Sequence, residues 1–171
     1  IDSHIILTGS ANFTRTDIFK NQNNIIIFYH SGLAKIYEEE FALLFEKKDF
    51  QSKKPSHPPF FIGNMNVQIY FSPRNRDAEK SILREVQSAK ATIQIAAFAL
   101  THGKLIQILK EKIAEGVKVD ILLDKDQAKN RRSIYQEMDS LSIQLYRGKG
   151  KLHHKFIIVD GETLLTSSFN F

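Results

Sequence analysis

The chain opens on "IDSHIILTGSANF" and closes on "FIIVDGETLLTSSFNF", and the two ends are versions of one another. With Ile1 set against Val159, Asp2 falls on Asp160, Leu7 on Leu165 and Thr8 on Thr166, all at one interval. Ser10 falls on Ser168, Asn12 on Asn170 and Phe13 on Phe171 at the same interval. That spacing is too long for a solenoid unit and matches a whole domain. Two copies of one strand in a single chain compete for one place in a sheet. The repeat therefore predicts the C-terminal part of a first domain copy over residues 1–47. A linker over 48–65 and the N-terminal part of a second copy over 66–171 follow.

Composition adds bounds. A chain of 171 residues, 42% hydrophobic and 25% charged, can bury one full core. Its formal charge of +5 favours polyanionic partners, nucleic acid or anionic lipid, though a mildly basic surface with no such role carries the same excess. There is no Cys, which excludes a disulfide framework and thiolate metal sites. No run approaches the ~18 apolar residues of a membrane span.

"HIILTGSANF" and "NNIIIFYH" read as strands. "SGLAKIYEEEFALLFEKK" reads as an amphipathic helix with Leu33, Ile36, Tyr37, Phe41 and Leu44 on one face and Ser31 as N-cap. The Pro- and Lys-rich stretch that follows is the linker. "VQIYFS" is a strand, and "DAEKSILREVQSAK" a helix burying Ile82, Leu83, Val86 and Ala89. "ATIQIAAFAL" is a near-continuous apolar strand, as in a sheet covered on both faces. Next come a helix closed by Gly116, the strand "VKVDILLDK", a helix over "DQAKNRRSIYQEMDSL" and the strand "SIQLYR". "HKFIIVD" and "TLLTSSFNF" form a hairpin around Gly161. The alternation predicts an α/β fold, a mixed β-sheet flanked by helices on both faces. "NNIIIFYH" and its helix are expected to dock as a permuted tail of that sheet, with "HIILTGSANF" displaced to an edge.

The chemistry concentrates at the C-terminal end of the chain. His153, Lys155, Asp160, Ser168 and Asn170 form H-x-K-x4-D-x6-S-x-N. Alternate strand residues face one way, so His153 and Lys155 project together, as do Ser168 and Asn170 on the neighbouring strand. A fixed cation, two neutral hydrogen-bonding side chains and an imidazole suit a phosphate. Charge on its oxygens would be stabilised, and the imidazole could attack phosphorus or protonate a leaving oxygen.

These residues resemble the phospholipase D superfamily, whose HKD signature is H-x-K-x4-D followed by G-S-x-N. "HHKFIIVDGETLLTSSFNF" matches, with Ser167 where the family usually has Gly, and "IDSHIILTGSANFT" matches the second half of the signature. "SANFT" followed by "KNQNN", and "YFSPRN…ILREVQSAKATIQIAAFALT", look most like the bacterial Nuc-type endonucleases and phosphodiesterases. Phe13-Thr14 departs from the Asp that cardiolipin synthases usually carry there. The resemblance implies the phospholipase D/nuclease-type fold and two HKD motifs meeting at a pseudo-twofold interface, within a tandem chain or a homodimer. It implies a metal-independent endonuclease acting through a phosphohistidine. His153 would be nucleophile or acid, with Lys155, Ser168, Asn170, Ser10 and Asn12 on the phosphate and Asp160 supporting the motif. The substrate implied is nucleic acid, DNA favoured, or a phospholipid phosphodiester. Asn23 stands where Nuc-type enzymes usually have an acid that orients an imidazole of the first copy.

Plainer readings stand beside these. His154 lies between His153 and Lys155 and should face away. His4, His30, His57 and His102 have no partners at metal-ligand spacing and read as surface or satisfied histidines. Asp120 and Asp124 share a strand, but Asp at a strand's carboxyl end is more often a loop cap. "KNRRS" (129–133) with Lys125 is either a solvated helical face or a contact to a nucleic-acid backbone. Phospholipase D or phosphatidyltransferase activity, and a non-catalytic nucleic-acid-binding module, remain alternatives. A chain with one complete His-Lys pair should be inactive as a monomer. No metal or cofactor is called for, so phosphodiesterase activity is expected to survive EDTA. Loss with EDTA and rescue by Mg²⁺ in the same assay would overturn that expectation.

Overall fold

The computed structural model describes residues 1–50, 52, 57–73, 77–137 and 143–171. These fall in two compact units, Ile1–Thr8 with Ile26–Ser81 and Gly9–Ile25 with Ile82–Phe171.

In the first unit β1 (Ile5–Gly9) pairs with β2 (Ile25–Tyr29). Helix α2 (Ser31–Phe45) follows, after the short α1 (Arg15–Phe19) of the other unit. Its N-cap is His30 and not Ser31: the imidazole Nδ1 accepts the Leu33 N–H at 3.2 Å, leaving Ser31 as the first helical residue. Leu33, Ile36 and Leu43 are buried with Tyr37 beside them, whereas Phe41 and Leu44 are exposed. Phe41 lies five residues past Ile36, well off that stripe at 3.6 residues per turn, and stacks on Phe45 instead. Part of the expected linker is ordered sheet. β3 (Phe60–Ile62) and β4 (Met65–Val67) form an antiparallel hairpin about Gly63, and Phe60, Ile62 and Val67 join the first core. The strand expected over "VQIYFS" ends at Val67, and Ile69 and Phe71 pack without a ladder. Residues 51 and 53–56 of the expected linker lie outside the described residues.

The second unit holds a mixed sheet with flanking helices, in the order β7-β6-β5-β8-β9. Its strands are β5 (Thr92–Ala97), β6 (Lys118–Asp124), β7 (Ile143–Tyr146), β8 (Lys155–Val159) and β9 (Thr163–Thr166). β5, β6 and β7 run parallel, while β8 runs antiparallel to β5 and to β9. Helix α3 (Asp77–Gln87) precedes β5, and α4 (Gly103–Ala114) makes the crossover from β5 to β6. His102 caps α4 by accepting the Leu105 N–H, and Gly116 ends it at a φ of 89°. Register puts Ile93 opposite Val119 and Val159, and Ile95 opposite Ile121 and Ile157. That face packs with Leu105, Ile106 and Leu109 of α4 and with Val86 and Ala89, as the apolar spacing anticipated. β2 pairs with β1 in a separate two-stranded sheet and is not one of these five strands, so it does not complete this sheet as the expected permuted tail.

Two further expectations are corrected. The helix over "DQAKNRRSIYQEMDSL" is, in its described part, two 3₁₀ turns at Gln127–Lys129 and Ile134–Gln136. Asp124 Oδ1 accepts the Asp126 and Gln127 N–H groups and Asn130 Oδ1 accepts that of Arg132, so polar side chains outcompete the helical ladder. Residues 138–141 of that stretch lie outside the described residues. Strand β9 stops at Thr166 and does not run to Phe171. The chain leaves the ladder so that Phe171 enters the core and its carbonyl accepts the Thr101 N–H at 2.6 Å.

The β8–β9 hairpin turns through Asp160 (φ 52°) and Gly161 (φ 70°), left-handed positions that Asp and Gly tolerate best. The Asp160 carboxylate accepts the N–H groups of Lys90, Ala91 and Thr92 at 2.9, 2.8 and 2.8 Å, pinning the turn to the start of β5. Those donors, Thr92 foremost, hold its pKa below the usual carboxylate value. A lowered folded pKa contributes stability that is complete above the unfolded pKa and fades as pH falls through the folded one. Asp160→Ala should therefore lower Tm at neutral pH, with the gap from the parent narrowing in acid. A gap that stays constant down to pH 3 would contradict this account.

Candidate functional site

Lys155 begins β8 opposite Ala97, on the face that carries Ile157 and Val159 into the core. Placement at the end of that apolar row explains why a lysine is only 3% exposed. Its Nζ turns back along the strand, donating to the His153 carbonyl at 2.9 Å and standing 3.1 Å from His153 Nε2. His153 and Lys155 do share a side. His154 takes the other, with Nδ1 3.4 Å from Asn24 Oδ1 and its ring edge-on to Phe156. Phe98, following β5, packs edge-on to His153 at 5.1 Å. The ammoniums of Lys151 and Lys155 each lie 5.6 Å from the centre of its ring.

The other half of the site comes from residues 9–25. Gln22 accepts the His153 N–H at 2.8 Å and donates to the Lys151 carbonyl at 2.8 Å, a parallel bridge alongside Leu152. Asn21 Oδ1 accepts the Lys151 N–H at 3.0 Å. Glycine permits the approach: a Cβ on Gly150 (φ 80°) would collide with the Lys20 carbonyl, and one on Gly9 with that of Asn24. The segment thereby brings Asn23 Oδ1 to 3.0 Å from His153 Nδ1. Ser10 Oγ donates to the same oxygen at 2.9 Å and accepts the Asn24 N–H at 3.1 Å. Behind Asn23 lies Asp17, 5% exposed, its carboxylate 4.0 Å from His153 Nδ1.

Of the residues singled out in the sequence, His153, Lys155 and Ser10 meet. Asn12 is one step removed, beside the Asp17 carboxylate whose pKa it helps to lower. Asp160 sits past the opposite end of β8, where its carboxylate accepts backbone N–H groups and not a contact from the imidazole. Ser168 and Asn170 lie exposed beyond β9, and the imidazole's hydrogen bonds among the described residues go elsewhere. Ser10, the counterpart of Ser168, lies there instead, on the Asn23 oxygen that meets the ring. Asn23, expected beside an imidazole of the first copy, is bonded to His153. Asp124 is a loop cap, as its position suggested, and also accepts the Leu152 N–H at 3.0 Å. Sequence reasoning missed Asp17, Phe98 and Lys151. Thr14-x-x-Asp17 carries a signal of its own, but it is that of a helix start: Thr14 Oγ1 accepts the Asp17 N–H at 3.2 Å.

Electrostatics favour a neutral imidazole. Burial, then the charge of Lys155, push the His153 pKa below 6.5, while Asp17 and a Ser10 backbone hydrogen bond pull it up. Burial also lowers Lys155, opposed by Asp17. The unfolded chain takes up a proton at His153 before the folded one does, so this group makes stability fall as pH drops below 6.5 toward the folded pKa. An NMR titration should find the His153 midpoint below that of a free imidazole, and Lys155→Met should raise it. A midpoint unmoved by Lys155→Met would contradict the assigned cause.

A family profile described as "Cardiolipin synthase, PLD-like domain" matches residues 82–171, a span that does not include Phe13-Thr14. The "Phospholipase D" of Rickettsia typhi is 30% identical over 138 residues, 80% of this chain and 64% of that protein. The "Mitochondrial cardiolipin hydrolase" of Chlamydomonas reinhardtii is 35% identical over 85 residues, 48% of this chain and 38% of that one. The chain thus spans less than two thirds of either relative. NucT from Helicobacter pylori superposes with a TM-score of 0.52 at 25% identity, covering 56% of this chain and 67% of its own. These matches, with the mixed sheet, show that the chain belongs to the phospholipase D superfamily, whose members are phosphodiester hydrolases, close to the Nuc type.

Proposed function

We propose that the chain supplies one catalytic half of a metal-independent phosphodiesterase, an endonuclease in the first instance. The observation that carries the reading is the pair formed by His153 and Lys155, an imidazole whose Nε2 stands 3.1 Å from a buried ammonium and whose pKa burial pushes below 6.5. In this reading the Nε2 lone pair attacks phosphorus. The N–P bond forms as the P–O bond to the leaving group breaks, and the departing oxygen takes a proton from a second imidazole. Water then attacks the phosphohistidine, giving one proton back to that second imidazole as the N–P bond breaks and Nε2 regains its lone pair. Lys155 balances the charge that develops on the phosphoryl oxygens. His154 faces away, so the second imidazole belongs to another HKD motif, in a tandem copy or a second chain across a twofold axis. Residues 1–47 and 66–171 are, on this view, parts of successive copies.

Nucleic acid is favoured by the loop that leads into the motif. Arg147, Lys149 and Lys151 alternate with Gly148 and Gly150 and are exposed, and Lys151 reaches the ring that packs on His153. Such a loop suits the phosphates flanking a scissile bond. A lipid reading has its own support. Phe13, Ile18 and Phe19 are 84, 58 and 76% exposed on the segment that carries Ser10 and Asn23, and the relatives named above are a phospholipase and a cardiolipin hydrolase.

His153→Ala should abolish hydrolysis and Lys155→Ala should cost on the order of 10²-fold or more, while His154→Ala should be mild. Lys149→Ala and Lys151→Ala should each reduce the salt slope of DNA binding by about 1. Parallel assays on single-stranded DNA and cardiolipin vesicles separate the two substrates. Turnover of vesicles alone would sink the nuclease reading, and full-rate DNA cleavage by a strictly monomeric chain would sink the requirement for a second imidazole.

A further inference from the structure

Asp17 is a buried carboxylate with no part in the reaction steps above. Its hydrogen bonds come from neutral groups, the Asn21 amide at 2.5 Å, the Thr14 hydroxyl at 3.5 Å, Asn12 and Asn23. Asn21 foremost, these bonds lower its pKa, with the charge of His153 a smaller contribution, so the group is an anion near neutral pH. The acid expected to touch the catalytic imidazole is absent, and Asn23 stands in its place with Asp17 one side chain further back.

The direction of every bond in this chain follows from Asp17. A primary amide can present either end to a neighbour, and its partners decide which. Two acceptors of Asp17 select Asn23 Nδ2: the backbone carbonyl, to which it donates at 3.1 Å, and more weakly the carboxylate, at 3.5 Å. Asn23 Oδ1 then points the other way and itself only accepts. Its neighbours must donate: Ser10 through its hydroxyl, and His153 through an N–H on Nδ1. With the proton of the neutral ring on Nδ1, the lone pair lies on Nε2, facing the Lys155 ammonium, which only donates.

We propose that Asp17 is a positioning residue that acts on His153 through Asn23, holding the imidazole in the Nδ1–H tautomer with the Nε2 lone pair toward Lys155. The charge that would otherwise touch the ring is set back by one neutral amide. Such an arrangement fixes the tautomer as a directly bonded carboxylate would, while raising the affinity of the ring for protons less. The charged groups acting on the ring are Asp17 on one side and Lys155 and Lys151 on the other, so the ring stays neutral unless the acid moves closer. The assignment concerns the state of the ring. Only its consequence for rate rests on the reading of His153 as nucleophile.

The test uses the full chain and long-range ¹H–¹⁵N spectra of the His153 ring, in parallel with pH–rate profiles. In the parent, Nδ1 should give a protonated and Nε2 an unprotonated signature at neutral pH. Asp17→Asn removes the acceptor-only anion and leaves the backbone carbonyl: the Nδ1–H signature should weaken by the share the carboxylate contributes, and the His153 midpoint and acid limb of the rate profile should move to lower pH. kcat should drop by on the order of 10²-fold with little change in KM. The double variant D17N/N23D returns the charge, now in direct contact. It should restore the Nδ1–H tautomer and raise the midpoint above that of the parent. This variant also serves should Asp17→Asn alone fail to fold. An unchanged tautomer and midpoint in Asp17→Asn, or no recovery of the tautomer in D17N/N23D, overturns the proposal. Spectra that change as stated in a chain that hydrolyses nothing support the positioning role and instead overturn the catalytic reading of His153.

Discussion

The site depends on a lysine placed where a hydrophobic residue would sit. Lys155 occupies the last core-facing position of β8, in line with Ile157 and Val159. A long side chain there can bury its methylenes and turn its ammonium out at the strand end. The ammonium finds the His153 carbonyl and Nε2, and so the geometry of the pair is fixed by the same register that fixes the core. A slip of one residue would move Lys155 to the other face and bring His154 into the place of His153. Asp160 guards against that slip from the far end of the strand, by holding the hairpin turn to the backbone that leads into β5.

A buried ammonium beside an imidazole sets an electrostatic condition. Both groups resist protonation through desolvation, and the charges of Lys155 and Lys151 add to the resistance of His153. The segment Gly9–Ile25 brings the compensating charge. It docks by backbone bonds from Gln22 along 151–153, which commit the segment's register before any side chain is considered. Asp17 then lies close enough to favour charge on both His153 and Lys155, yet its own hydrogen bonds run to amides and hydroxyls. The imidazole is left neutral, oriented and 16% exposed, the state in which a ring nitrogen can act as a nucleophile.

The N-terminal half-signature and the HKD residues, far apart in the chain, are adjacent in space. Ser10 belongs to the repeat of which Ser168 is the other member, and Ser10 is the one that shares Asn23 with His153. The tail bearing Ser168 and Asn170 turns aside after Thr166, where burial of Phe171 and the bond from Thr101 reward the turn. The competition expected between the two ends is thereby resolved without both entering the same sheet. β1 pairs with β2, and β9 keeps its ladder with β8.

Local chemistry determined much of this protein. Apolar runs specified β5, β6 and β8, the spacing of Ile82, Leu83 and Val86 specified α3, and Asp160-Gly161 specified the turn, because each is a short-range preference written in neighbouring residues. The strand period alone put His153 with Lys155 and His154 opposite. Tertiary structure decided which member of the repeat completes the site, because two similar segments carry the same local signal and only docking distinguishes them. It also decided that the 127–136 stretch is two 3₁₀ turns, where side chains of Asp124 and Asn130 capture backbone N–H groups. The role of Asp17 belongs to this second class. In the sequence it is the fourth residue of a helix-capping pattern, and its position 4.0 Å from His153 Nδ1 exists only because Gln22 and Gly150 let the segment lie against the strand end.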